Sequence, residues 1–241
     1  VDRRQRQMCI RDSKGTDRED RLGPERACAQ GWISPRAMRN GIIVTVLFAC
    51  LIGSALLFYA GWELIIVGLL CVLFAFLYTT GPYPLSYNGW GDVLVIVFFG
   101  FVPVGGTYYV QALTWTSDTT VASLICGLLI DTLLVVNNYR DREADARSGK
   151  RTVIVRFGEK FGRYLYLMLG VAASLLCFWF FFEGHLFAAL LPLLYLIPHV
   201  LTWRRMVQIH SGKKLNSILG ETSRNMLLMG ILLSIGFLIR H

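Results

Sequence analysis

The chain has 241 residues, 54% of them hydrophobic and 17% charged, with a formal net charge of +8 and a mean hydropathy of +0.51. This is far more apolar than a soluble domain of the same length needs, and it excludes a disordered chain. The positive balance does not by itself require a nucleic-acid partner, because its meaning depends on where the charges fall.

In chain order, the opening VDRRQRQMCIRDS has no apolar core, so it is neither a signal peptide nor a span. The following KGTDREDRLGPERA is dense in acids and bases and reads as a loop or cap on a helix beginning near Pro35. Seven apolar runs then approach the roughly 20 residues that a spanning helix requires, over roughly 41–60, 63–79, 93–113, 119–138, 164–182, 185–201 and 225–240. None alternates with period 2, which excludes barrel strands. The fold class is therefore all-α, a polytopic transmembrane helix bundle forming one membrane domain.

The 24 Lys and Arg residues orient these spans: ten precede position 40, eight lie from Arg140 to Arg163, five from Arg204 to Arg224, and Arg240 stands alone. With seven spans the first three groups share one side, and the short links near Gly61, Thr114–Ser117 and Gly184 carry no Lys or Arg. The positive-inside rule puts the N-terminus and the long loops in the cytoplasm. A basic loop face accounts for the net charge, and no nucleic-acid partner is expected. The six cysteines are scattered without a C-x-x-C pair or a histidine at ligand spacing, so neither a disulfide framework nor a zinc site is expected. The histidines at 185, 199, 210 and 241 lie mostly near span ends, where a wet interfacial role is the default.

The run NNYRDREADARSGKRT, 137–152, follows directly on VASLICGLLIDTLLVV. On a helix Asn137, Asn138, Asp141 and Asp145 fall on one face. Two carboxylates one turn apart at the mouth of a bundle can share a hard divalent cation, and magnesium favours such oxygens together with waters and substrate phosphates. Lys150 and Arg151 could then neutralise the remaining phosphate charge. The same spacing also fits a solvated helix end on which Arg140, Arg142 and Arg147 pair with Asp141, Glu143 and Asp145. Asp131, an acid inside a span, fits either a cavity lining or a locally paired structural residue. Asp92 opens a span, where an acid ordinarily caps the helix dipole. The loop GPYPLSYNGWG, 81–91, is either a tight connection or a lid.

The run NNYRDREADARSGKRT with VIVRFG resembles the second aspartate-rich motif of the UbiA superfamily of intramembrane prenyltransferases, closest to the branch acting on 1,4-dihydroxy-2-naphthoate in menaquinone synthesis. YTTGPYPLSYNGWGDVLVIVFFG, 78–100, is similar to that branch's loop between its fourth and fifth helices, and DREDRLGPERACAQGWIS, 17–34, to the tail of its first aspartate-rich motif. The resemblance implies a bacterial cytoplasmic-membrane enzyme with Mg2+ as cofactor, and a polyprenyl diphosphate, an aromatic acceptor and the lipid bilayer as partners. It implies magnesium ligation by Asp141, Asp145, Asp17 and Asp20, with Arg21, Lys150 and Arg151 stabilising the departing diphosphate. Asn137, Asn138 and Asp92 would face the substrates. Aromatic faces suit the protection of an allylic cation, with Tyr78, Tyr83, Tyr108 and Tyr109 as candidates.

The chain departs from the family's pattern at its start. The family has nine helices and an Asn-Asp-Tyr-x-Asp sequence closing the second, where this chain has RQRQMCIRDS. The expectation is that residues 1–12 are a non-native or misread segment and that 13–241 form a UbiA-like domain lacking two helices, with low or no activity. Another aromatic acceptor such as 4-hydroxybenzoate, a transporter and an inactive fragment remain as alternatives; the D-G-x-x-A-R signature of the CDP-alcohol phosphotransferases is absent.

Overall fold

The structure, a computed structural model, describes residues 22, 23, 27, 28 and 30–239. The expectations for residues 1–12 and for Asp17, Asp20 and Arg21 lie outside the described residues. Among the described residues every regular element is helical. Seven helices account for the apolar runs: α1 (Pro35–Phe58), α2 (Glu63–Thr79), α3 (Gly91–Ala112), α4 (Ser117–Arg147), α5 (Val153–Phe182), α6 (Leu186–Ile209) and α7 (Leu215–Leu238). All but the shorter α2 are long and apolar enough to cross a membrane.

Each expected span falls on one helix, but α4 to α7 run well past the apolar segments. An apolar run measures only the hydrocarbon crossing, whereas a helix continues for as long as its ends are capped. The 31 residues of α4 extend about 46 Å, against about 30 Å of bilayer hydrocarbon. Its last turns, which carry Asp141 and Asp145, therefore project beyond the apolar run. Thr116 opens α4 by accepting a hydrogen bond from the Thr119 amide at 3.1 Å, and Thr152 opens α5 by accepting one from Val155 at 3.3 Å.

The chain divides into two units, residues 1–84 and 85–241. In the first, Ser34 caps α1 through the Ala37 amide at 3.2 Å, with Pro35 at the first helical position. No residue of α1 or α2 is buried.

In the second unit α4 is the central element, packed against α3, α5 and α7. Two apolar clusters surround it. One joins Val135, Val136 and Tyr139 to Ile154, Tyr166, Met206 and Ile218; the other joins Ile125 and Leu129 to Ala173, Phe180, Tyr195 and Met229. Between the helices lie buried polar pairs, Tyr166 with Thr222 at 3.0 Å and Asn225 donating to Thr202 at 2.9 Å. His199 is fully buried, its ring bonded to Tyr195 at 2.9 Å and to the Leu167 carbonyl at 3.2 Å. This corrects the interfacial reading of that histidine, because α6 continues to Ile209 and places His199 mid-helix.

The α3–α4 seam is built on small residues. From Ile96 to Gly105 α3 is a π-helix containing Pro103, which has no amide hydrogen to donate. A Cβ on Gly127 would lie 2.9 Å from the Ile96 Cα, and one on Gly100 would lie 2.8 Å from the Gly127 Cα. The two backbones meet with no room for a methyl group, the usual means of close helix packing in membranes. Gly127→Ala is expected to lower stability by about 1–3 kcal/mol, whereas Gly220→Ala, at a glycine with open space around it, should not; thermal unfolding in detergent compares the two.

Candidate functional site

One end of the second unit gathers the start of α3, the end of α4, the start of α5 and the start of α7. The chain closes α4 with a specific turn. The Gly149 amide donates to Ala146 O at 3.2 Å and the Lys150 amide to Asp145 O at 2.9 Å, with Gly149 at φ 77°. This paired closure requires a left-handed residue after the helix, and glycine adopts that conformation without a Cβ penalty. It places Lys150 directly over Asp145, whose carboxylate accepts from Lys150 Nζ at 3.0 Å.

One turn earlier Asp141 is held by Arg140, whose Nε and Nη2 each donate to one carboxylate oxygen at 2.7 Å. Arg140 Nη1 donates to Asn216 Oδ1 on α7 at 2.8 Å, and the arginine side chain is only 5% exposed. The alternative of arginine pairing is thus met at Asp141, and in a long contact of 3.9 Å between Arg142 and Glu143. Asp145 is paired by Lys150 rather than by Arg147.

Asp92, at the first turn of α3, lies in electrostatic range of Lys150, so the structure brings Asp92, Asp141, Asp145 and Lys150 to one neighbourhood. Arg151 is exposed. Its amide donates to Tyr87 O at 2.8 Å, and Arg156 donates to Asn88 O at 2.7 Å. The second half of the 81–91 loop is thereby pinned to the α4–α5 link. Asn138 is buried, while Asn137 donates back to Leu133 O at 3.2 Å. Tyr78 and Tyr83 belong to the first unit, Tyr78 at the end of α2 and Tyr83 exposed in the loop that follows. Tyr108 and Tyr109 stand near the opposite end of α3 from Asp92, a placement that separates them from this neighbourhood.

A charge network the sequence reading missed flanks the aspartates. Tyr139 donates to Glu159 at 2.8 Å, Arg163 pairs with Glu159 and donates to Tyr139 at 3.0 Å, and His210 Nδ1 lies 2.6 Å from Glu159. Glu159 follows Gly158, where α5 breaks at φ 87°. These groups hold α4, α5 and the α6–α7 turn together on the side of α4 next to the aspartates.

Deeper in the seam, Asp131 is 1% exposed. Among the described residues, Asp131 Oδ1, Asp92 Oδ1 and Ser123 Oγ are buried without a hydrogen-bond partner. They share a register: Ser123, Gly127 and Asp131 are successive turns of α4, and Gly100, Ile96 and Asp92 are the facing turns of α3, antiparallel to it. Asp131 Oδ1 therefore has no local hydrogen-bond partner among the described residues. A buried carboxylate oxygen without a partner costs stability, so Asp131→Asn is expected to hold or raise the melting temperature; a fall as large as that of Gly127→Ala would show an ion pair that this geometry lacks.

Asp141 and Asp145 offer hard oxygen donors one turn apart at the end of α4, a pair of the chemistry that magnesium favours. No group of three His, Cys, Asp or Glu side chains converges as a metal cluster among the described residues.

The UbiA prenyltransferase family model matches residues 14–233. The chain is 37% identical over 240 residues to a 1,4-dihydroxy-2-naphthoate octaprenyltransferase of Haemophilus influenzae, covering 94% of this chain and 76% of the relative. It is 39% identical over 170 residues to the Escherichia coli protein of that name, covering 68% of this chain and 55% of the relative. A UbiA prenyltransferase domain-containing protein 1 of Dictyostelium discoideum is 30% identical, covering 67% of this chain and 48% of the relative. The chain thus spans about three quarters of the first of these relatives and about half of the other two. No solved structure matches. With its helical architecture and a family match over nearly its whole length, the chain belongs to the UbiA prenyltransferase family.

Proposed function

We propose that the protein transfers a polyprenyl group from polyprenyl diphosphate to 1,4-dihydroxy-2-naphthoate, with loss of the acceptor's carboxylate as carbon dioxide, giving the quinol form of demethylmenaquinone. The observation that carries this reading is the pair Asp141 and Asp145 at the end of α4, with Lys150 fixed on the second of them. The shared likeness to relatives named for that acceptor supports the choice of ring.

In this reading Asp141 and Asp145 would hold Mg2+, with Asp17 and Asp20 as further ligands by resemblance. Bound magnesium supplies charge neutralisation to the diphosphate leaving group. Lys150 turns from Asp145 toward the phosphate oxygens, and Arg151, which makes no ion pair among the described residues, adds a second cation, with Arg21 as a third by resemblance. The allylic carbon–oxygen bond breaks, its electron pair leaving with the diphosphate. The naphthoate ring then forms the new carbon–carbon bond, and the carboxylate's electron pair returns to the ring as carbon dioxide departs. Asn138 and Asp92 face the substrates, and aromatic faces would shield the allylic cation from water. The isoprenoid tail lies toward the lipid of a bacterial cytoplasmic membrane, with the site at the cytoplasmic face.

The test is transfer of labelled polyprenyl from its diphosphate in membranes containing the chain, with 1,4-dihydroxy-2-naphthoate or 4-hydroxybenzoate as acceptor. The expected product is the decarboxylated naphthoquinol, whatever its absolute rate, reduced about 100-fold in Asp141→Asn, a loss typical of removing one transition-state charge partner. Product from 4-hydroxybenzoate alone would reassign the acceptor, and equal product from Asp141→Asn would remove the aspartate from the site.

A further inference from the structure

A buried guanidinium sits in contact with a candidate metal ligand. Arg140 covers both oxygens of Asp141, and its remaining hydrogen bond goes to the neutral amide oxygen of Asn216. Its side chain is 5% exposed, against 23% for Lys150. Lys150 has a flexible stem and can swing into water when Asp145 is taken by another partner. Arg140 is boxed by α4 and α7 and has no such exit.

The consequence is thermodynamic. A divalent cation held by Asp141 draws on the same two oxygens that Arg140 bonds, and its double positive charge beside the guanidinium weakens that pair and favours release of one of its arms. Displaced, Arg140 keeps its charge in a buried place with only an amide for company, and stranding a buried charge is strongly unfavourable. An anion restores the balance, and a diphosphate presents the oxygen pairs that a guanidinium fork matches.

We propose that Arg140 is the resident counter-ion of the site, held in reach by Asn216: it neutralises Asp141 while the site is empty and turns to the diphosphate when a divalent cation takes that carboxylate. Cation and diphosphate then bind together, each raising the affinity for the other, and neither is held well alone. This inference rests on the reading of Asp141 as a metal ligand and adds Arg140 as a diphosphate-binding residue.

The test uses purified protein and Mn2+ observed by electron spin resonance, alone and with inorganic pyrophosphate, corrected for the complex these form in solution. In the parent chain pyrophosphate is expected to tighten Mn2+ binding about tenfold or more, within the usual range of coupling between two sites. In Arg140→Gln, Mn2+ alone should bind more tightly than in the parent, because its competitor for Asp141 is gone, and the effect of pyrophosphate should fall to about threefold or less. Arg140→Lys keeps the charge without the fork, guarding against a folding failure in the glutamine variant. It should leave Mn2+ alone as weak as in the parent while losing part of the coupling. Unchanged binding and coupling in both variants, or weaker Mn2+ binding in Arg140→Gln, would overturn the proposal and leave Arg140 a structural partner of Asp141. A parent chain that binds neither Mn2+ nor pyrophosphate would overturn the metal-ligand reading of Asp141 as well, which separates the two failures.

Discussion

The arrangement of the site depends on how α4 stops. Six residues, Asp145 to Lys150, close the helix through two backbone hydrogen bonds that only a left-handed residue at 149 allows. That closure carries the Lys150 backbone back over the Asp145 carbonyl, and the ammonium reaches the carboxylate of the same residue. Backbone and side chain of one lysine thus meet backbone and side chain of one aspartate. The next residue, Arg151, holds the second half of the 81–91 loop through Tyr87, so the helix end also decides where residues 85–91 rest. A turn motif worth little by itself organises a cation, a carboxylate and a connecting segment.

The rest of the second unit keeps α4 in place. Lipid provides no hydrophobic drive for helices to associate, so the contacts that hold them are close backbone approach and buried polar pairs. Both occur around α4. Gly100 and Gly127 bring α3 against it, and on its other sides the apolar clusters join it to α5, α6 and α7. The glycine register has a second effect, because it sets Asp92 opposite Asp131 and leaves acceptor atoms in the seam without donors. A seam with unsatisfied acceptors stores free energy that tight packing elsewhere must offset, and such sites commonly lie beside functional groups.

The fold was legible because its signal is one-dimensional: an apolar run long enough to cross a bilayer is visible residue by residue, and all seven runs lie on helices. The aspartate pair was legible for the same reason, since residues four apart on a helix share a face whatever surrounds them. Lys150 reads from the sequence only as a cation that could neutralise phosphate charge, and its bond to Asp145 depends on the left-handed turn at Gly149. Arg140 was seen only as a neighbour of Asp141. Its anchor on Asn216 lies 76 positions away, and no spacing rule spans that distance. Glu159 meets Tyr139 and His210 for the same tertiary reason, whereas its pair with Arg163 lies four residues along one helix. His199 was misplaced because the apolar run ends near it while the helix does not. Local periodicity thus identified elements and faces, whereas the pairings between helices required the packed bundle.

The account rests on the end of α4 being where the diphosphate binds. The most direct measurement is a structure of the protein with Mn2+ and a non-hydrolysable polyprenyl thiodiphosphate, locating the metal by its anomalous scattering. The account predicts manganese in contact with Asp141 and Asp145, with the diphosphate between them and Lys150. Manganese and diphosphate bound away from these aspartates, with the Arg140–Asp141 and Lys150–Asp145 pairs intact, would contradict it.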